Sequence, residues 1–93
     1  MSAQVRVFTT NYCPYCNAAK RFLDNAGVAY DAIDVTHDAE TRMWLVETSG
    51  MRTVPQIFVG DESIGGYSDM DAMHRRGEFK AVLERHGVAN KLA

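Results

Sequence analysis

The chain has 93 residues, 46% apolar and 24% charged, with a formal net charge of −2 at neutral pH. That length and apolar fraction suffice for one small domain spanning residues 1–93 with a core of its own, and they exclude disorder. The near-neutral balance gives no electrostatic reason to expect a nucleic-acid partner. No apolar run reaches membrane-spanning length, so no membrane association is expected.

The first residues, Met1 to Arg6, show no charged leader followed by an apolar block, so no export signal is read and a cytoplasmic location is the default expectation. Val5 to Thr9 is β-branched and aromatic and reads as the first strand. The only two cysteines follow in the run Tyr12-Cys13-Pro14-Tyr15-Cys16. Pro14 suits the first turn of a helix, where its missing N–H costs nothing. Ala19, Phe22, Leu23 and Ala26 then recur at three- and four-residue spacing, marking the buried face of that helix, with Lys20, Arg21 and Asp24 off it. Gly27 is its expected stop.

A sulfur at a helix N-terminus meets unpaired backbone N–H groups and the positive end of the helix dipole, both of which favour negative charge. The thiolate is the form that attacks a disulfide, so Cys13 reads as a nucleophile, and Cys16, one turn further on, can close on it. A purely structural disulfide here would enclose two residues, and so short a loop restrains the unfolded chain least. A structural zinc site needs four ligands. There is no second CxxC, and His37, His74 and His86 are scattered. Thiol–disulfide exchange is the reading; no metal is expected, with metal carriage through Cys13 as the remaining alternative.

Val28 to Val35 reads as a second strand, parallel to the first because a helix separates them. Asp38 or Thr36 can cap a second helix reaching about Thr48, ended by Ser49-Gly50, with Met43, Trp44 and Val46 available for packing. Thr53 to Val59 reads as a turn feeding a third strand. Gly60-Asp61-Glu62 is a hairpin turn into the brief strand Ser63-Ile64, which Gly65-Gly66 breaks. Ser68 with Asp71 three residues on fits a capping box for a helix through Met70 and Met73. Gly77 punctuates, and Phe79, Val82 and Leu83 face inward from a last helix ended by Gly87. The order predicts an α/β fold with a four-stranded mixed sheet flanked by helices. Met43, Met70 and Met73 are expected in the core and Trp44 in packing; the three histidines are expected at the surface, with none pairing with Cys13.

Three motifs, Cys13-Pro14-Tyr15-Cys16, Thr53-Val54-Pro55 and Gly65-Gly66-Tyr67-Ser68-Asp69, stand in an order and spacing that resemble the dithiol glutaredoxins, over nearly the whole of residues 5–86. The resemblance implies a thioredoxin-like fold and an enzyme that uses glutathione as co-substrate. Such an enzyme reduces protein–glutathione mixed disulfides and protein disulfides in cell redox homeostasis, as a monomer. It implies Cys13 as nucleophile, Cys16 as resolving thiol, and a cis Val54-Pro55 bond that turns the Val54 main chain towards glutathione. Arg42, eight positions before the glycine ending its helix, matches the basic or amide position expected to meet a glutathione carboxylate, and Arg52 matches a common basic position bordering the groove. Thr53, Gly66, Ser68 and Asp69 match the remainder of the groove, and Tyr15 lines it. Arg42 can also be read as a solvated helix residue, and Ser68 as a cap, a ligand or both. Relatives often carry Lys or Arg where this chain has Thr10, so thiolate stabilisation is expected to rest on the helix terminus and glutathione affinity to be lower. Two further readings compete: a thioredoxin-like protein served by a flavoprotein reductase, and an iron–sulfur carrier, whose dedicated relatives carry Cys-Gly-Phe-Ser instead.

Overall fold

The computed structural model describes residues 4–92; residues 1–3, which enter the export-signal reading, and residue 93 lie outside the described part. Eight elements follow in chain order: β1 (Val5–Thr9), α1 (Pro14–Asn25), β2 (Tyr30–Asp34), α2 (Ala39–Ser49), β3 (Gln56–Val59), β4 (Glu62–Gly65), α3 (Tyr67–Arg75) and α4 (Glu78–Arg85). The strands lie in the order β2-β1-β3-β4. β1 runs parallel to β2 and antiparallel to β3, and β4 is antiparallel to β3. This is the mixed four-stranded sheet that the element order predicts.

The period-two alternation of the central strands sorts their side chains onto two faces. Val5, Val7, Ile57 and Val59 point to one side and pack with Ala19 and Leu23 of α1, Met70 of α3, and Phe79, Val82 and Leu83 of α4. Phe8 and Phe58 point to the other side and meet Leu45 of α2 and Val35. Both faces of β3 are covered, so all four of its residues are buried. The two cores are unequal: three helices cover one face and one helix the other.

That inequality corrects one expectation. Met43 is 65% exposed rather than core. Its neighbour Leu45 is the fully buried residue of α2, and two positions along a helix is about 200° of rotation, so the two cannot share a face. Trp44 does pack, its ring centroid lying 5.8 Å from that of Phe8 and 5.5 Å from that of Phe58. Arg6 completes this cluster, with its guanidinium 5.4 Å from the Phe58 centroid and a hydrogen bond donated to the Gly60 carbonyl at 3.0 Å. His37 and His74 are at the surface as expected. His86 is half-buried instead, its Nε2 3.2 Å from Glu62 Oε1.

Helix ends follow local chemistry. Asp38, not Thr36, caps α2, accepting the Thr41 N–H at 3.1 Å. Gly50 closes the same helix in the left-handed conformation and donates to the Val46 carbonyl at 2.8 Å. The box expected from Ser68 and Asp71 is displaced by two residues. Gly66 is the N-cap of α3, and its N–H donates to Asp69 Oδ2 at 2.9 Å. Ser68 lies inside α3, and Asp71 pairs with Arg75 at 3.0 Å one turn on. The backbone sets this register: Gly65 takes φ +106°, a value side chains resist, so the helix starts directly after the glycine pair.

A Cβ at Gly65 would also overlap the Asp69 carboxylate that holds the Gly66 N–H. Gly65→Ala should therefore cost backbone strain and the α3 cap together, roughly 2–3 kcal/mol. Gly50→Ala, where a Cβ meets nothing within 4 Å, should cost about 1 kcal/mol from φ alone. Urea unfolding midpoints at constant m-value check both; equal losses would refute the role given to Asp69.

Candidate active site

Four residues join β1 to α1, and Cys13 is the last of them. It caps the helix with its own side chain: Sγ accepts the Cys16 N–H at 3.1 Å, while the Cys13 carbonyl accepts the Asn17 N–H at 3.2 Å. Pro14 takes the first helical position, as its fixed φ allows. Cys13 and Cys16 are joined in a disulfide with Cα atoms 5.2 Å apart. Cys13 is half-buried, whereas Cys16 is 1% exposed. An incoming sulfur can thus reach Cys13, while Cys16 is reached only through its partner. This asymmetry is what attack by the first sulfur and closure by the second would require.

The Thr53-Val54-Pro55 turn lies against this sulfur. The Val54–Pro55 bond is cis, and the Val54 carbonyl oxygen is 3.9 Å from Cys13 Sγ. Thr53 is exposed, Val54 half-buried and Pro55 buried. On the far side of Pro55 a Cβ on Gly66 would stand 3.5 Å from the Pro55 carbonyl oxygen. The glycine pair therefore packs its main chain on the proline turn and brings the start of α3, with Ser68 and Asp69 exposed, to the same edge. Tyr15, 64% exposed, stacks on Tyr67 at 6.3 Å between centroids, tying α1 to α3.

The loop after β2 forms the other flank. Thr36 Oγ1 accepts the Asn11 N–H at 2.9 Å and donates to Asp34 Oδ1 at 2.6 Å. The Thr36 hydroxyl first, then its N–H, hold the Asp34 carboxyl below the usual range. Thr36, His37, Ala39, Arg42, Met43, Val46 and Arg52 line one groove of about 610 Å³. Three basic side chains and no carboxylate are among them, so the groove suits an anion. The Arg42 guanidinium donates to the Thr36 carbonyl at 3.4 Å.

Apart from the dithiol and Tyr15, the residues singled out from sequence thus fall into three groups. Arg42 and Arg52 share the groove beside α2; Gly66, Ser68 and Asp69 form the start of α3; Thr53, Val54 and Pro55 stand against Cys13 and Gly66. Asp69 has one carboxylate oxygen engaged on the Gly66 N–H. Sequence reasoning missed three contributors. Tyr67, which stacks on Tyr15, was signalled by its place directly after the glycine pair. Thr36 and His37 line the groove only because the loop after β2 folds back onto Asn11, which no local pattern announces. Among the described residues no group of three or more His, Cys, Asp or Glu side chains is placed to hold a metal ion.

Tyr12 precedes Cys13 with φ +56°, in the left-handed region, and its side chain is fully exposed. For an aromatic residue that backbone costs about 1 kcal/mol relative to glycine.

A family model described as Glutaredoxin matches residues 5–64. Among curated relatives, a glutaredoxin of Ricinus communis is 36% identical over 94% of this chain and 88% of its own length. Glutaredoxin 3 of Escherichia coli K12 is 37% identical over 88% of this chain and 99% of its own. The crystal structure of a buckwheat glutaredoxin–glutathione complex superposes with a TM-score of 0.83 at 31% identity, covering 91% of this chain and 80% of that one. The fold is thioredoxin-like.

With the disulfide reduced, the Cys13 thiol should titrate below the ordinary value of about 8.5. The Cys16 N–H and the α1 terminus both stabilise the thiolate. Ultraviolet thiolate absorbance of the Cys16→Ser variant across pH measures this directly, and an unshifted midpoint would remove helix-terminus activation as the mechanism.

Proposed function

The chain belongs to the glutaredoxin family, and from that premise we propose a glutathione-dependent thiol–disulfide oxidoreductase that reduces protein–glutathione mixed disulfides and protein disulfides. The observation carrying this reading is a half-buried Cys13 sulfur 3.9 Å from the main-chain carbonyl of Val54, two residues after the Arg52 that lines a groove together with Arg42. Glutathione is a peptide with two carboxylates and one amine. Its cysteine pairs main chain to main chain with Val54, one carboxylate meets Arg42 and Arg52, and the γ-glutamyl end meets Ser68 and Asp69 at the start of α3. Asp69 offers the amine its remaining carboxylate oxygen.

In the reaction the Cys13 thiolate attacks the glutathione sulfur of a mixed disulfide. The S–S bond breaks, the protein leaves as a thiolate that takes up a proton, and Cys13 holds glutathione in a new disulfide. A second glutathione thiolate attacks that sulfur, restoring the Cys13 thiolate and releasing glutathione disulfide. For a protein disulfide, Cys13 forms the mixed disulfide with substrate and Cys16 displaces it, leaving the Cys13–Cys16 disulfide. Two glutathione molecules then re-reduce the pair and emerge as glutathione disulfide. Two electrons move from glutathione to substrate in each case. A cycle driven by reduced glutathione belongs in a reducing compartment, here the cytoplasm, and it needs no second subunit.

Cys13→Ser should abolish both reactions, whereas Cys16→Ser should keep most deglutathionylation and lose protein-disulfide reduction. Glutathione-coupled assays on both substrate classes read this out, and parallel loss in Cys16→Ser would refute the division of roles. Arg42→Ala should lower kcat/KM for glutathionylated substrates about five- to thirtyfold through KM, the worth of roughly 1–2 kcal/mol for one charge-assisted contact. Unfolding should barely change, since Arg42 is exposed. Asp69→Ala is a different case, because it also uncaps α3. If Arg42→Ala and Arg52→Ala both kept normal kinetics, the carboxylate would lie elsewhere.

A further inference from the structure

Among the described residues Tyr12 is the one non-glycine residue with positive φ, at +56°. Its side chain is 102% exposed, and its ring meets no other aromatic ring among the described residues. Each feature is unfavourable for folding: a bulky side chain resists that backbone, and a phenol ring in water buries nothing. Asn or Gly would relieve both. A lone exposed aromatic ordinarily needs no explanation, but strain and full exposure at one residue, directly before the nucleophile, do.

The strain is imposed from both sides. Asn11 N–H is held by Thr36 Oγ1 at 2.9 Å, and Cys13 is held as the α1 cap by the Cys16 N–H at 3.1 Å. Tyr12 bridges two anchored neighbours, so its Cα is fixed, and its ring stands in solvent on the residue directly before Cys13. Tyr15, by contrast, is occupied by its stack on Tyr67.

We infer that Tyr12 is a specificity-determining contact for the polypeptide half of the mixed disulfide, receiving an apolar side chain next to the substrate cysteine. The inference rests on the glutathione reading given above. Attack by Cys13 on the glutathione sulfur leaves the substrate sulfur one S–S bond further out, which brings the residues flanking the substrate cysteine towards the segment preceding Cys13. Glutathione occupies the Arg42, Val54 and Asp69 side, leaving the Tyr12 ring as apolar surface for the polypeptide. A ring with few rotatable bonds loses little entropy on such contact.

The test uses the full chain and its Tyr12→Asn and Tyr12→Phe variants. The probes are two glutathionylated peptides, with Leu or with Gly flanking the cysteine, and the mixed disulfide of glutathione with 2-mercaptoethanol. Tyr12→Asn should lose about five- to tenfold in kcat/KM on the Leu-flanked peptide, through KM. On the Gly-flanked peptide and the small mixed disulfide it should stay within about twofold of the parent. Tyr12→Phe should match the parent throughout, and the Asn variant should unfold at the same or a higher urea concentration. A uniform loss on all three substrates would mean that Tyr12 acts through Cys13, and no loss on the Leu-flanked peptide would mean no contact; either overturns the inference. A parent chain inactive on the small mixed disulfide would instead bring down the glutathione reading, and this inference with it.

Discussion

The Cys13 sulfur accepts the Cys16 amide hydrogen across the first turn of α1, so the cap of the helix and the more accessible sulfur of the dithiol are the same group. A helix must satisfy its first N–H groups, and here the acceptor is a sulfur whose charged form that terminus stabilises. Several other positions follow. Pro14 takes the site without a donor, and the terminus has to sit at the C-terminal end of β1, where the sulfur is reachable. The residue before it is held in a backbone that only this arrangement enforces.

The unequal covering of the sheet decides where binding surface is left. The face under α1, α3 and α4 is a broad apolar core and holds the dithiol helix rigidly. The opposite face is covered by α2, with Leu45 fully buried and Trp44 laid over Phe8 and Phe58. A helix so lightly packed leaves its other side chains in solvent. Arg42 and Met43 therefore wall a groove instead of filling a core. Light packing also places α2 towards the low-stability end of the structure, where ligand-contacting segments are commonly found.

Asp69 serves two demands that pull on one carboxylate. One oxygen holds the Gly66 N–H and starts α3; the other is free to meet a cation. Gly65 makes the arrangement possible, since any side chain there would occupy the space of that carboxylate. The glycine pair thus works through both its backbone freedom and its lack of volume, and it rests on the Pro55 carbonyl that adjoins the dithiol.

The sequence by itself determined whatever depends on neighbours within a few residues: the CxxC at a strand–helix junction, the stripe of Ala19 and Leu23, the stop at Gly50 and the hairpin after Val59. Hydrogen bonds and periodicities within a turn or two generate those features, so the element order and the position of the dithiol were legible. The three motifs also marked the dithiol and the turn at Pro55. Only the tertiary structure decided what depends on contacts between distant segments. The α3 cap moved to Gly66 because Gly65 takes a positive φ and leaves room for the Asp69 carboxylate. Met43 was left in water because one helix face alone reaches Phe8 and Phe58. Thr36 and His37 joined Arg42 and Arg52 in one groove because the loop at Thr36 is tied to Asn11. Tyr12 acquired its left-handed backbone because both its neighbours are pinned by partners that the local sequence does not contain.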